Sequence, residues 1–297
     1  MKIGYPCINT SIPREASSTF RLASYSEDRL IEVVNSNLNH LEKILKYNVK
    51  HNLLFFRISS DLVPFASHPI CEFDWQDYFA KKFKTLGKYI KKERIRISMH
   101  PDQFVLLNSP QSIIVTNSVR DLTYHSSILD LMGLDSTAKI QIHVGGVYGD
   151  KISAIKTFEK NYNVLLSQSI KKRLVIENDD RLYNVNDCLR IHGNTDVPIL
   201  FDSFHHKCND GGDSVGIVKA FEMCCDTWKK MDGVPLADYS CQEFGHRRGK
   251  HSFTIDLEDF RKFILETREL CYDLMLEIKD KQISALKALE LLNCINR

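Results

Sequence analysis

Short apolar runs recur along the whole chain, and each ends in polar residues. They are rich in Ile, Val, Leu and Phe and too short for typical helices, which favours buried β-strands. The eight runs are Lys2–Ile8, Leu53–Ile58, Ile95–Met99, Ile140–Val144, Leu174–Ile176, Ile199–Phe201, Val234–Tyr239 and Leu274–Ile278.

Stretches with helical spacing separate these runs. Their apolar side chains recur three or four positions apart, and Ser24 and Glu27 precede the first stretch in the spacing of a capping box. The residues that mark the first, second, fourth and sixth helices are Leu30, Val34, Leu38, Leu41 and Leu45; Trp75, Phe79, Phe83, Leu86 and Ile90; Ile155, Phe158, Tyr162 and Leu165; and Phe221, Cys224 and Trp228.

Alternating strands and helices predict a parallel sheet with right-handed crossovers. Eight such units in 297 residues indicate a single (β/α)₈ TIM barrel spanning 1–297, with its active site at the C-terminal ends of the strands. An open, doubly wound sheet is the alternative. The chain has neither a GxGxxG motif after the first run nor a Walker GxxxxGK[ST] motif, which disfavours that alternative.

Composition narrows the protein class without identifying a partner. The 40 Lys and Arg against 38 Asp and Glu leave a net charge of +2, so attraction to a polyanion must come from local clusters. Nine cysteines without a CxxC pair indicate reduced thiols in a cytosol-like compartment. Because no apolar run approaches the roughly 20 residues of a transmembrane helix, we expect no membrane span.

The chemistry lies where the apolar runs end. The third to eighth runs each end in, or lead directly into, a histidine or an acid, and two further histidines lie in loops. In chain order, the candidates are His68, His100, His143, Glu177, Asp202, His205, His206, Asp238, His251 and Glu277. Taken singly, each histidine is more simply a hydrogen-bonded structural residue. Buried carboxylates such as Glu177 and Glu277, however, need a compensating cation or donor. Their convergence on one rim therefore predicts bound metal ions.

Imidazole and carboxylate ligands without thiolates suit Mn²⁺, Zn²⁺, Fe²⁺ or Mg²⁺. The number of candidates exceeds the need of one ion, so we expect two or three ions, with Glu177 as a bridge, and no organic cofactor. Closely spaced divalent ions favour phosphodiester hydrolysis, in which they generate a hydroxide nucleophile and stabilise the leaving oxygen.

Five long segments resemble the ultraviolet damage endonuclease family, a relative of endonuclease IV among the metal-dependent barrels: FRISSDLVPFASHP, RISMHPDQFVLLNSP, LVIENDD, PILFDSFHHK and DLMLEIKDKQ. The resemblance extends over nearly the whole chain. It implies Mn²⁺-dependent cleavage of duplex DNA immediately 5′ to pyrimidine dimers and 6-4 photoproducts, leaving a 3′-hydroxyl and a 5′-phosphate.

The resemblance also implies roles for the candidate ligands. His100 and His143 would bind one metal ion, Glu177 would bridge, and His205 and His251 would bind a third ion. The companion ion would take Asp202, Asp238 and Glu277, and His68 matches a further family histidine. The residues closest to the chemistry are then His143, Glu177, Asp202 and Glu277.

Damage recognition in the family uses side chains that enter the duplex. Gln103 and Phe104 match these positions, with Tyr5 and Asn9 nearby on the first loop. An amide and an aromatic ring can fill the gap left by an extruded lesion. We expect a separate basic cluster in the loop after the seventh run to contact DNA phosphates, and it comprises Arg247, Arg248 and Lys250.

The chain departs from the family pattern at three positions. Leu236 stands where many members carry Lys, so a carboxylated lysine cannot form there, and Asp238 replaces a His. Asp238 keeps a ligating oxygen and adds negative charge. Phe104 stands where a Tyr is frequent, and it keeps the stacking area without the hydroxyl group.

Two other functions remain open at this point: a metal-dependent sugar isomerase-like barrel and a noncatalytic scaffold that binds damaged DNA. We expect a monomer that acts on UV-damaged double-stranded DNA without a membrane partner. Its expected location is cytoplasmic, associated with the nucleoid in a prokaryote.

Overall fold

The computed structural model describes residues 1–13, 18–212 and 215–295. Each strand pairs in parallel with the next, and β1 closes the ring by pairing with β8. The strands are β1 (Ile3–Pro6), β2 (Phe55–Ile58), β3 (Arg96–Met99), β4 (Lys139–His143), β5 (Leu174–Glu177), β6 (Ile199–Asp202), β7 (Leu236–Tyr239) and β8 (Asp273–Leu276). This closed order confirms the predicted (β/α)₈ barrel and rules out the open sheet.

Helices surround the barrel. In the described ranges the α-helices are α1 (Glu27–Lys50), α2 (Trp75–Lys92), α3 (Ser112–Leu131), α4 (Lys151–Leu165), α5 (Gln168–Lys171), α6 (Val185–Thr195), α7 (Ser203–Cys208), α8 (Ile217–Cys225), α9 (Leu257–Glu266) and α10 (Gln282–Ile295). Within those ranges, none combines the length and apolarity needed to cross a membrane.

Two local expectations were wrong. Ser26, not Ser24, caps α1, because its side chain accepts a hydrogen bond from the Arg29 backbone at 3.2 Å, whereas Ser24 ends a short 3₁₀ turn. Trp228 does not belong to α8, which ends at Cys225. Its indole instead donates to the Ile199 carbonyl at 2.8 Å.

The barrel has an apolar layer inside as well as a larger core between strands and helices. One residue from each of five strands forms the inner layer, which comprises Phe55, Val175, Leu200, Leu236 and Met275. Leu236 is fully buried in this layer. The position at which the family resemblance led us to expect Lys is therefore part of the hydrophobic interior.

Strand periodicity explains why the polar site lies directly above this layer. Side chains two positions apart point to the same face of a strand. Each inner-layer residue is therefore followed two positions later by another inward side chain. These followers are Arg57, Glu177, Asp202, Asp238 and Glu277. Five strands thus deliver one cation and four acids to one level of the barrel.

Gly87 marks a close approach between α2 and the end of α3. A Cβ atom at Gly87 would lie 1.7 Å from the carbonyl oxygen of Met132. Because that oxygen belongs to the backbone, the clash could be relieved only by moving one of the two helices. By contrast, the exposed Gly193 in α6 has open space around its Cβ position. Packing therefore requires glycine at position 87, whereas a larger side chain would fit at position 193.

We expect Gly87→Ala to lower the free energy of unfolding by about 1–3 kcal/mol, because the added methyl group forces the helices apart. Gly193→Ala is the matched control and should raise it by about 0.5–1 kcal/mol, as is usual for Gly to Ala within an exposed helix. Urea unfolding followed by circular dichroism measures both changes. A Gly87→Ala protein as stable as wild type would contradict the close approach.

Candidate metal centre and active-site cleft

Seven of the predicted ligands form three linked groups at the carboxyl end of the barrel. Within each group the ligand atoms lie within 4.8 Å of one another. The groups are His100, His143 and Glu177; Glu177, Asp202 and His205; and Asp202, Asp238 and Glu277. Glu177 belongs to the first two groups and Asp202 to the last two. This connectivity is the geometry that shared carboxylate ligands require.

Glu177, at the end of β5, is the hub of the cluster. Its Oε2 lies 3.6 Å from His100 Nε2 and 3.8 Å from His143 Nε2, while its Oε1 lies 3.0 Å from His205 Nδ1. The side chain is completely buried. Burial raises the pKa of a carboxyl group, but the three histidines outweigh that effect and hold the pKa of Glu177 well below its usual range.

Backbone carbonyl groups orient three of the histidines, and His205 Nδ1 lies 3.0 Å from the Asn178 carbonyl oxygen. His100 Nδ1 lies 2.7 Å from the Pro101 carbonyl oxygen, and His251 Nδ1 lies 2.9 Å from that of Glu277. Because a carbonyl oxygen only accepts hydrogen bonds, Nδ1 of His100 and of His251 carries a proton, and in a neutral ring the lone pair is then on Nε2. A hydrogen bond of this kind fixes the tautomer that a metal ligand needs.

Arg57 and Gln141 form a polar floor under the acids. Arg57 Nη2 lies 2.7 Å from both Asp238 Oδ2 and Gln141 Oε1, and Nη1 donates to Glu277. Gln141 Nε2 donates to Glu177 and, at 2.7 Å, to Asp238 Oδ2. Burial alone would raise the pKa of Glu277, but the guanidinium group lowers it to about 2. Neither residue is predicted from the sequence, because both lie inside apolar runs, not at their ends.

Four carboxylates in a nearly dry space dominate the electrostatics. Burial raises the pKa of Asp202 well above its usual range; His205 opposes this effect and Glu177 adds to it. Burial likewise raises the pKa of Asp238, to about 8, although Arg57 acts in the opposite direction. Burial alone would lower the pKa of His205, but Asp202 and Glu177 raise it to about 12. The cluster therefore takes up protons when no other cation balances it.

The cluster also contains polar atoms without partners. Among the described residues, Asp202 Oδ2, Asp238 Oδ1 and His143 Nδ1 are buried and accept or donate no hydrogen bond. Leaving such an atom unsatisfied costs about 1–3 kcal/mol. Asp238 binds Arg57 and Gln141 through one oxygen and leaves the other bare. The donor set and its bare atoms fit divalent metal ions.

A cleft of about 730 Å³ opens above the cluster. His100, His251 and Glu277 line its inner part, and Gln103 and Phe104 line its rim. Phe104 is 73% exposed, although phenylalanine is usually buried. A cleft of this size with convergent polar groups is typical of a ligand or active site.

The whole chain matches a known protein family. The family described as UV-endonuclease UvdE matches residues 1–297. A protein named UV DNA damage endonuclease from Clostridium perfringens (strain 13 / Type A) is 39% identical over 298 residues, covering 100% of this chain and 72% of its own length. The crystal structure of SacUVDE superposes with a TM-score of 0.93 at 44% identity, covering 100% of this chain and 99% of that one.

The chain belongs to the UV-endonuclease UvdE family. This membership confirms the resemblance inferred from the five segments. Endonuclease IV from Thermus thermophilus is a more distant neighbour, with a TM-score of 0.58 at 14% identity over 86% of this chain and 93% of that one. At that identity the likeness shows a shared fold alone.

Two histidines implied by the UvdE resemblance lie outside the three groups. The His251 ring centre is 5.8 Å from that of His205, and its Nδ1 is 4.0 Å from Glu277 Oε2, so it flanks the cluster. His68 lines a neighbouring hollow of about 330 Å³, where its Nδ1 accepts a hydrogen bond from the Ile70 backbone at 3.1 Å. Direct ligation by either histidine stays a prediction.

The structure does not place Tyr5 and Asn9 on the rim. Tyr5 is fully buried, and its hydroxyl group donates to Asn48 Oδ1 at 2.5 Å and accepts from Asn9 Nδ2 at 2.8 Å. Odd positions of β1 point towards α1 because side chains alternate along a strand. The described conformation therefore gives no support to the DNA contacts predicted for these two UvdE positions.

The basic residues after β7 lie in an ordered loop. Gln242 holds the loop by donating to the Arg247 carbonyl at 2.9 Å and accepting from Gly249 at 3.0 Å. Arg247 and Arg248 are exposed and Lys250 is half-buried. Arg248 donates to the Lys207 carbonyl at 2.8 Å. The loop keeps positive charge at the surface beside His251.

We expect Arg57→Met to lower the free energy of unfolding of the metal-free protein by about 3–5 kcal/mol, because it leaves the buried Asp238 and the partly buried Glu277 without their cation. Arg29→Met, which breaks an exposed pair with Glu32, is the matched control and should change it by less than about 1 kcal/mol. Denaturant unfolding in the presence of a chelator measures both. Equal stabilities of the two variants would disprove the role of Arg57.

Proposed function

We propose that this UvdE-family chain is a metal-dependent DNA endonuclease. It hydrolyses the phosphodiester immediately 5′ to pyrimidine dimers and 6-4 photoproducts in duplex DNA and leaves a 3′-hydroxyl and a 5′-phosphate. The observation that carries the proposal is the linked ligand cluster at the base of a cleft whose rim exposes Gln103 and Phe104. Family membership supports the substrate class, since the Clostridium perfringens relative is named for UV DNA damage.

The three linked groups are the proposed metal sites, with His251 beside them as a further ligand and His68 as a more remote candidate. Two or three divalent ions, preferably Mn²⁺ and otherwise Zn²⁺ or Mg²⁺, would occupy them. When bound, such ions supply an activated water molecule and stabilisation of the leaving oxygen. In this proposal Glu177 bridges, and His143, Asp202 and Glu277 are the other residues closest to the reaction.

The chain's own residues would orient the substrate. Arg57 and Gln141 hold the metal-ligand candidates Asp238, Glu277 and Glu177 in place by hydrogen bonds. Gln103 and Phe104 would enter the duplex and occupy the space left by an unstacked lesion. Separately, phosphates would contact the basic loop that contains Arg247, Arg248 and Lys250.

Family membership disfavours the sugar isomerase-like alternative. A site for a small polyol also has no evident use for an exposed aromatic rim or a basic loop. The noncatalytic scaffold is tested directly by the nicking assay below. We further propose that the protein acts as a monomer in the cytoplasm.

Purified protein with Mn²⁺ should convert irradiated supercoiled plasmid to the open circular form and leave unirradiated plasmid intact. Glu177→Gln should slow nicking by more than about 100-fold, because even residues that merely orient metal ligands contribute about 10- to 100-fold. Glu222→Gln on the surface of α8 is the control and should nick at the wild-type rate. Sequencing gels on a defined lesion locate the cut.

Persistent supercoiling of irradiated plasmid under these conditions would contradict nuclease function. Binding without metal-stimulated nicking would favour the scaffold. A Glu177→Gln protein that folds and nicks normally would remove Glu177 from the bridging role. Elemental analysis of the same preparations gives the number and identity of the bound ions.

Replacing both Gln103 and Phe104 with Ala should reduce the preference for damaged over intact duplex by at least about tenfold, because stacking on an aromatic side chain contributes about 1–3 kcal/mol per base. Bound Mn²⁺ should be unchanged. Tyr78→Ala, an exposed aromatic on the outer helix α2, is the control. Competition binding measures the preference, and unaltered discrimination by the double variant would contradict the wedge assignment.

A further inference from the structure

Lys281 is a half-buried cation without a partner among the described residues. It lines the cleft together with Cys7, Arg57 and Glu277. Within the described ranges its side chain makes no hydrogen bond, and no carboxylate lies within 4.0 Å of its Nζ. Lys139, another buried lysine, instead pairs with Asp232 at 2.6 Å. Withdrawing an ammonium group from water without a partner is unfavourable. An anion that bound to Lys281 would remove this cost.

The acids nearest to Lys281 in the chain are already engaged. Glu277 accepts from the Arg57 guanidinium group, and Asp280 accepts from the Ser284 hydroxyl group. Burial is the largest influence on the pKa of Lys281 and lowers it; Cys7 and Glu277 oppose this effect, and Arg57 adds to it. Lys281 therefore lines the cleft without a structural counter-ion among the described residues.

The backbone at Lys281 is unfavourable for lysine as well. Its φ angle is +56°, a conformation that residues other than Gly, Asn and Asp rarely adopt. It immediately precedes α10 and its carbonyl accepts from Ala285 at 3.1 Å, which places it where a capping Ser, Asn or Asp is usual. A cation also opposes the positive end of the helix dipole. Such local costs persist mainly at functional positions.

We propose that Lys281 binds a backbone phosphate of the DNA strand in the cleft. The inference rests on the proposed nuclease function and adds to it a substrate contact that does not depend on a metal ion. A phosphate oxygen would supply the missing acceptor at the part of the cleft that Glu277 also lines. The contact would fix the register of the strand above the proposed metal ligands.

Methylphosphonate substitution tests this contact. Equilibrium binding of a damaged duplex is measured in the Glu177→Gln background, so that cleavage does not intervene, with a neutral methylphosphonate at one position at a time. Adding Lys281→Met should weaken binding of the unmodified duplex about tenfold. At one position the methylphosphonate should weaken binding by the Lys281 protein about tenfold and by the Lys281→Met protein less than twofold. Contacts that share a partner are non-additive in this way.

Three matched proteins separate the phosphate contact from other roles. Lys281→Arg should remain within about threefold of the parent protein because it keeps the charge. Lys262→Met, on the outer surface of α9, removes an equal charge and should change binding less than twofold. The thermal midpoint of Lys281→Met should equal or exceed that of the parent, since the substitution relieves an unpaired charge.

Additive effects of Lys281→Met and methylphosphonate at every position would overturn the proposal. It would equally be overturned by a fall in the thermal midpoint or in bound Mn²⁺ with DNA affinity unchanged, because Lys281 would then stabilise the fold or the metal ligands. Wild-type protein that binds the duplex without nicking would contradict the proposed function. The non-additivity between Lys281→Met and methylphosphonate could still be measured in that case. Wild-type protein that binds no DNA would contradict both.

Discussion

The site depends on one constraint: the negative charge of four converging carboxylates must be balanced by positive charge. Glu177, Asp202, Asp238 and Glu277 reach one level of the barrel, where little water is available to solvate them. Arg57 supplies one fixed positive charge. His205, whose pKa is raised, supplies a second one as its protonated ring. If all four acids are ionised, the remaining negative charge has no counterpart among the described side chains of the cluster. Divalent cations are the simplest compensation, and the bare oxygens of Asp202 and Asp238 indicate where they would bind.

This charge can be concentrated because the layer beneath it is apolar and closely packed. Phe55, Val175, Leu200, Leu236 and Met275 close the barrel interior below the acids. A lysine at position 236 would bring a second cation into this space. With Leu236 the layer is purely hydrophobic, and Asp238 depends on Arg57 and Gln141 for its hydrogen bonds. Leu236 and Asp238 are therefore best understood together as one local arrangement.

The barrel and most of the candidate ligands could be predicted from the sequence because both follow from one rule. Each apolar run ends in a polar residue, and parallel strands bring their carboxyl ends to one face. The rule does not identify Arg57 and Gln141, since they lie inside runs. Only the closed barrel shows that their side chains point inward, towards the acids. Tyr5 was misplaced for a related reason. Its position near the first loop suggested the rim, whereas strand alternation turns it towards Asn48.

Strand positions could be predicted from the sequence more reliably than loop positions, and this explains the remaining differences between prediction and structure. Strand positions are set by hydrogen bonding and burial, so Glu177 and Asp202 lie where a pattern places them. Loop positions depend on turns and carbonyl contacts such as that of His251 with Glu277, which no periodicity encodes. Residues that contact a macromolecular substrate must also remain unsatisfied in the free protein. Phe104 retains an exposed ring and Lys281 an unpaired charge, because contacts that satisfied either group within the chain would remove it from the surface that we propose to bind DNA.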